Sequence, residues 1–298
     1  MDIEAYRQQY LAELRSDGAQ PPEVSAAELA AAAAEGRDGA QLSEMIERLA
    51  LSGDVFAEGA RTLLDILANE AIAAPARLAA MRVLAGSRFR PHRFAAFNAE
   101  FTELLRKLAT HKSAELRAGA LERLALAKDR VAQKLLREGL QDKRKPLVPT
   151  AKAIQLLAQD DHAASRTLFR DLAARSTGRA REAALRALST DPKSAALLES
   201  VAADKAEKPQ VRQIAAMGLK NASATRFARL ARKLALDESD DDDVRAVAVS
   251  AIAHTKDVAG KAPGAKFAKA LEATGSTTKS RALKASIQRF ARSRGERG

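Results

Sequence analysis

Four histidines are the first residues to weigh, because imidazole titrates near neutrality and ligates metals. They stand at His92, His111, His162 and His254, far apart in sequence and in no H-E-x-x-H pattern. Neither a zinc pair on one helix nor a general base beside a nucleophile is marked by such spacing. There is no cysteine, which excludes disulfides, thiolate metal sites and a cysteine nucleophile, and no G-x-S-x-G occurs. The run Gly260-Lys261-Ala262-Pro263-Gly264-Ala265-Lys266 superficially resembles a phosphate loop. It departs from the G-x-x-x-x-G-K-[ST] spacing and follows no strand, so it reads as a lysine-bearing turn. Asp237-Glu238-Ser239-Asp240-Asp241-Asp242-Asp243 lacks the glycine and distant glutamate of a calcium loop. Its acids suit the positive N-terminal end of a helix beginning near residue 242. No catalytic, metal-binding or cofactor-binding residue is assigned, and the chain is expected to be non-enzymatic and to need no cofactor.

Charge is the chemistry that remains. The net charge is +12, and it is unevenly spread: residues 1–100 hold 10 Lys and Arg, all of them Arg, against 15 Asp and Glu, whereas residues 101–298 hold 40 against 23. Such asymmetry points to an anionic partner for the basic portion or to a solvated surface. Arg130, Lys134 and Arg137 fall on one face of a helical wheel, as do Arg226, Arg229 and Lys233, while Lys143, Arg144 and Lys145 fill a turn. These nine are the candidate contacts to an anion or nucleic acid. Arg166 and Arg170 form a further basic pair at helical spacing. Phosphate contacts from such stripes would bind without sequence preference and with steep salt dependence.

The elements that carry these residues are set by a repeated phrase. Its clearest copies are Val211-Arg212-Gln213-Ile214-Ala215-Ala216-Met217-Gly218-Leu219 and Val244-Arg245-Ala246-Val247-Ala248-Val249-Ser250-Ala251-Ile252. Weaker copies begin at Ala76-Arg77, Leu116-Arg117 and Ala180-Arg181, and one at Pro149-Thr150 lacks the arginine. The arginine slot recurs at steps of 40, 33, 31, 31 and 33 residues, the period of a stacked repeat array. Offsets of four, seven and eight share one face of a helix. Small residues there (Ala120, Ala184, Ala187, Ala215, Gly218, Ala248, Ala251) allow close helix approach. An amphipathic segment precedes each copy, so one repeat is a helical hairpin.

The phrase, through Val211-Arg212, Val244-Arg245 and Leu116-Arg117 and the small residues after them, resembles the HEAT-repeat superfamily, particularly its short bacterial, phycobilisome-lyase-like form. The resemblance covers roughly residues 54 to 290. It implies an all-α fold, an α-solenoid of about eight hairpins in a right-handed superhelix. It also implies that Arg77, Arg117, Arg181, Arg212 and Arg245 form a structural ladder, each paired with an acid or carbonyl in an adjacent turn. In such arrays first helices line the convex face, which is where the basic stripes fall, and second helices line the concave groove, here exposing Arg82, Glu122, Gln155, Arg186, Met217 and Ser250. The resemblance implies a protein-interaction scaffold or adaptor with a protein partner. Sequence-nonspecific nucleic-acid binding through the basic surface after residue 100 is the alternative, and a HEAT-like lyase or DNA glycosylase a remote one. The glycosylases of this type use tryptophans around an aspartate, and no Trp occurs here.

Taken in order, residues 1–53 are expected to form an N-terminal helix at 3–15, a linker at Gln20-Pro21-Pro22 and a degenerate capping pair. That pair opens at a Ser25–Glu28 capping box and has a helix stop at Gly36. Residues 54–292 carry the repeats as one solenoid, and 293–298 a frayed tail. Pro75, Pro146 and Pro209 are placed in first turns of second helices, with Pro149 deeper inside one. The stripe Phe94, Phe97 and Phe101 reads as core. Met1-Asp2-Ile3-Glu4-Ala5-Tyr6 lacks the basic and apolar regions of a signal peptide, and no apolar run approaches the ~20 residues of a membrane span. A cytoplasmic protein without membrane contact is expected.

Overall fold

The computed structural model describes residues 24–52, 58–87, 91–142, 146–160, 164–253 and 264–295. The expected helix at 3–15, the basic turn Lys143, Arg144 and Lys145, His162, His254 and residues 260–263 lie outside them. Among the described residues there are sixteen α-helices and no strand. Contacts divide the chain into two compact units, Met1–Pro149 and Thr150–Gly298.

The first unit contains α1 (Ala26–Ala34), α2 (Gly39–Ser52), α3 (Glu58–Ala68), α4 (Ala74–Ser87), α5 (Pro91–Leu108), α6 (Ala114–Leu126) and α7 (Arg130–Gln141). The second contains α8 (Thr150–Leu157), α9 (Ala164–Arg175), α10 (Gly178–Ala187), α11 (Ala195–Ala203), α12 (Pro209–Ala222), α13 (Ala224–Leu236), α14 (Asp242–Ala253), α15 (Ala265–Thr277) and α16 (Arg281–Gly295). In the first unit α2, α4 and α6 pack in series, and α1, α3 and α5 form a parallel series beside them. In the second unit α8, α10, α12, α14 and α16 stack in one row, and α11, α13 and α15 in the other. Hairpins stacked in two rows are the HEAT-like α-solenoid arrangement, present in each unit.

Local chemistry explains the helix ends. Ser25 Oγ accepts from the Glu28 amide at 3.2 Å, and the Glu28 carboxylate accepts from the Ser25 amide at 2.8 Å, completing the capping box at α1. Gly36 follows α1 with φ +73°, a conformation that favours glycine. Asp38, Ser113 and Asp129 accept from first-turn amides of α2, α6 and α7. Pro209 occupies the first turn of α12, where its missing N–H costs nothing. Pro146 and Pro149 differ from expectation, since α8 begins only at Thr150. A proline disfavours helical geometry in the residue before it, so Pro149 holds the chain non-helical through Val148 instead of bending a helix from within.

The core of each unit is aliphatic and close-packed. Leu29, Ile46, Leu63, Leu67, Met81 and Leu84 are fully buried in the first unit, and Leu185, Leu198, Leu219, Phe227, Val249 and Leu271 in the second. Phe94 meets Phe101 edge-on at 5.9 Å between centroids, and both are buried core, whereas Phe97 is half-buried beneath the Arg61 guanidinium. The small slots do bring helices together: Ala120, Ala184, Ala215 and Ala248 are buried, and a Cβ on Gly218 would stand 3.4 Å from the Leu198 side chain and 3.5 Å from the Ser189 Cα. Replacing Ala215 or Ala248 by Leu is therefore expected to destabilise the second unit by about 1–3 kcal/mol through overpacking. Melts of both variants equal to the parent would contradict this.

Candidate functional site

The arginines of the repeated phrase lie at the starts of second helices, and their side chains run between elements. Arg77 and Arg212 donate from Nε to the carbonyls of Leu67 and Ala202, each at 3.0 Å and each ten residues earlier. Those carbonyls end α3 and α11, where helix geometry leaves acceptors without partners. Arg212 also grips Asp240 with both terminal nitrogens, at 2.5 and 2.6 Å, the two side chains being 3% and 1% exposed. Arg117 donates to the carbonyls of His111 and Leu147, and Arg181 pairs with Glu207 at 2.5 Å. Arg181 Nε is buried without a hydrogen-bond partner, and Arg245 is less complete still: Nη1 reaches Asp242 at 2.9 Å, but both Nε and Nη2 are buried without a partner among the described residues.

Three buried aspartates complete these ties and were not anticipated. Asp129 receives Arg106, Asp191 receives Arg170 at 2.6 Å and Arg166 at 3.4 Å, and Asp240 receives Arg212. Burial alone would raise each carboxyl pKa; hydrogen bonds from the arginines and from local amides or a hydroxyl outweigh it and hold each below the usual aspartate value. Arg166 and Arg170 are thus half-buried and tied to Asp191, not a fully solvated basic stripe. The sequence signal was faint: Asp129 and Asp191 directly precede helical segments, and each of the three follows an arginine by 21–28 residues.

The acidic run before α14 is divided among separate partners. Asp237 accepts from Lys205 and Ser239 and is lowered to about 2, Asp240 binds Arg212, Asp241 accepts from the Asp243 and Val244 amides, and Asp242 binds Arg245. Among the described residues no group of three His, Cys, Asp or Glu could hold a metal ion. His111 Nδ1 accepts from the Ser113 amide at 3.0 Å, a turn contact. No described helix is long and apolar enough to cross a membrane.

The expected anion contacts fall on α7 and α13. Lys134 pairs with Glu138 at 3.9 Å on α7, and Arg226 with Glu199 at 2.7 Å between α13 and α11. Arg130, Arg229 and Lys233 are exposed and Arg137 half-buried, none ion-paired to a described residue. Arg130, Lys134 and Arg137 belong to the first unit and Arg226, Arg229 and Lys233 to the second.

A concavity of about 700 Å³ lies along the second helices of the second unit, between α10, α12, α14 and α16. Its apolar floor comes from Ile214, Met217 and Val247, with the small residues Gly218, Ala246 and Ala282 beside them. Met217 is 45% exposed, the one exposed large apolar side chain in this lining among the described residues. Ser250 and Ser286 join across the floor at 2.9 Å. Three of the helices lining it, α10, α12 and α14, run in the same direction. Arg212 at the start of α12 meets Asp240 before α14, and Gly218 late in α12 faces Ser189 just after α10. The C-terminal ends of α10 and α12 therefore share one rim, which carries Arg186, Lys220 and Asn221, and Arg289 of α16 also lines the cavity. No aspartate or glutamate lines the cavity. Arg186 is offset by Glu182 at 3.3 Å, and Arg289 donates to Ser286. Arg186 and Met217 had been read as exposed groove positions; their assembly into one concavity with Lys220 and Arg289 had not.

Residues 182–254, from within α10 to the end of α14, match the family model of the importin-beta N-terminal domain, a HEAT-like helical repeat family. The matched stretch contains both clear copies of the phrase, two of the four helices around the concavity (α12 and α14) and the C-terminal part of α10. It spans about a quarter of the chain, so the likeness is stated for that segment. No curated protein matches the chain.

Proposed function

We propose that the chain is a non-enzymatic interaction scaffold and that its partner is a protein seated in the concavity of the second unit. The observation that carries this reading is Met217, a large apolar side chain held open to solvent on a floor shared with Ile214 and Val247 and rimmed by polar groups. An apolar centre with a polar rim is the anatomy of a protein-binding surface, and methionine adapts to varied partner shapes. The aspartates with lowered pKa values are engaged in ties or caps that explain the lowering, which favours a scaffold over a catalyst.

A second reading, sequence-nonspecific nucleic-acid binding, is favoured by Arg130, Arg229 and Lys233, which face solvent without an acidic partner among the described residues. The two readings separate by photo-crosslinking in cells. With the photoreactive residue at position 217, discrete protein adducts are expected that resist nuclease and that are missing when the residue stands at 229. Adducts at both positions alike, or adducts that vanish with nuclease, would contradict the scaffold reading. Purified chain then serves for anisotropy against duplex DNA across a salt series. If nucleic acid is the partner, log affinity falls with a slope of about −0.9 per neutralised phosphate, and changing Arg130, Lys134, Arg137, Arg226, Arg229 and Lys233 to Gln flattens it.

A further inference from the structure

We infer that the segment received by the concavity of the second unit is acidic and carries a large apolar anchor: the anchor sits on Met217, and its carboxylates face Lys220, Arg289 and Arg186. This rests on the scaffold reading above and names the chemistry of its partner. The argument is charge complementarity. Arg186 and Lys220 occupy the last turns of α10 and α12, where the helix end presents about half a negative charge. With Arg186 offset by Glu182, Lys220 and Arg289 remain as full cations against these partial charges, and no carboxylate lines the cavity. Lys220 is ion-paired to no described residue, and Arg289 only donates to a hydroxyl. The positive field does not stop at the rim, because residues 264–295 hold eight Lys and Arg against one acid, Glu272. On α16, Arg289 and Arg292 share a helical face with Ala282 and Ala285 of the lining. Elsewhere in the second unit Arg166, Arg170, Arg181, Arg212 and Arg226 find acids, while Arg229 faces solvent.

The occupant needs an apolar part as well. A polyanion such as nucleic acid would leave Ile214, Met217 and Val247 facing phosphates, and the lining has no aromatic ring on which a base could stack. Four helices at about 10 Å spacing make a groove of roughly 30 Å, the span of about nine extended residues. Asn221 and Gln213 on α12 supply amide groups that can bond a peptide backbone.

The test uses the full chain and two labelled peptides of about nine residues, one with leucine anchors between glutamates and its counterpart with lysine replacing every glutamate. In anisotropy the acidic peptide is expected to bind at least about tenfold more tightly than the basic one, and raising salt should narrow the gap. The triple change Arg186→Gln, Lys220→Gln, Arg289→Gln, on exposed or rim positions, is expected to remove about tenfold or more of that affinity. Met217→Asp should do the same by a different route, and Arg229→Gln with Lys233→Gln should change nothing. Equal binding of the two peptides, or full affinity in the triple variant, overturns the acidic assignment while the crosslinks at 217 still stand for the scaffold reading. Duplex DNA competing away the acidic peptide in the parent and losing affinity in the triple variant would also overturn it, in favour of a phosphate ligand.

Discussion

Arg212→Met is expected to destabilise the second unit by about 3–5 kcal/mol. Methionine keeps much of the aliphatic stem, so the loss is not one of packing. What changes is that Asp240, its side chain 1% exposed, loses both charged donors and stays buried as an unpaired anion, while the Ala202 carbonyl at the end of α11 loses its Nε donor. Breaking one side of a buried pair is costly because the partner's desolvation is no longer compensated. The same replacement at Arg245 is expected to shift stability by less than about 1 kcal/mol, since Nε and Nη2 there already lack partners and their removal ends an existing penalty. Denaturant midpoints of the two variants measure the contrast. A loss at Arg245 as large as at Arg212 would contradict the assignment of Arg245 as an incomplete rung.

Acidification is expected to unfold the chain through its buried aspartates. Asp129, Asp191 and Asp240 are each held below 3.8, whereas in the unfolded chain they return to about 3.9. A carboxyl with a depressed folded pKa binds fewer protons folded than unfolded, so its stabilisation is complete above the unfolded value and disappears as pH falls through the folded one. Asp237, lowered to about 2, is still losing its share near that pH. Stability should therefore be flat in this respect above about pH 5 and fall steadily below about 4. Asp191→Asn should reduce the steepness, because it removes one of the linked protons. A stability curve flat below pH 4, or one unchanged in slope by Asp191→Asn, would show that these carboxylates are not linked to folding.

The two rows of helices were legible in the chain because their determinants are local. Ser25 with Glu28, Gly36 and Pro209 punctuate helices through atoms within a few residues. The phrase around Val211 and Val244 places small and apolar groups on one face wherever it occurs. The non-helical segment before α8 differs from expectation because Pro146 was weighed as a helix start and Pro149 as a bend within the helix, each by itself. Together they hold the segment before Thr150 out of helical geometry. Asp129, Asp191 and Asp240 look in sequence like any polar loop residue, and only the packing of one hairpin on the next buries them and draws in Arg106, Arg170 and Arg212. Arg166 and Arg170 were read as solvent-facing for the same reason. The concavity needed the same information in another form: Met217, Lys220 and Arg289 are unremarkable until stacking sets their helices around one cavity.

The claim that the concavity of the second unit receives a partner segment is tested most directly at Met217 itself. Met217 is exposed on its floor, Met81 is fully buried in α4 of the first unit, and Met45 is half-buried in α2. Methyl-labelled methionine therefore places one probe in the site and two references outside it. On titration with the acidic, leucine-anchored peptide, the Met217 methyl resonance is expected to shift or broaden in step with the anisotropy, and those of Met81 and Met45 to stay fixed. Binding by anisotropy with an unmoved Met217 resonance, or with the change at Met81 or Met45 instead, would contradict the account.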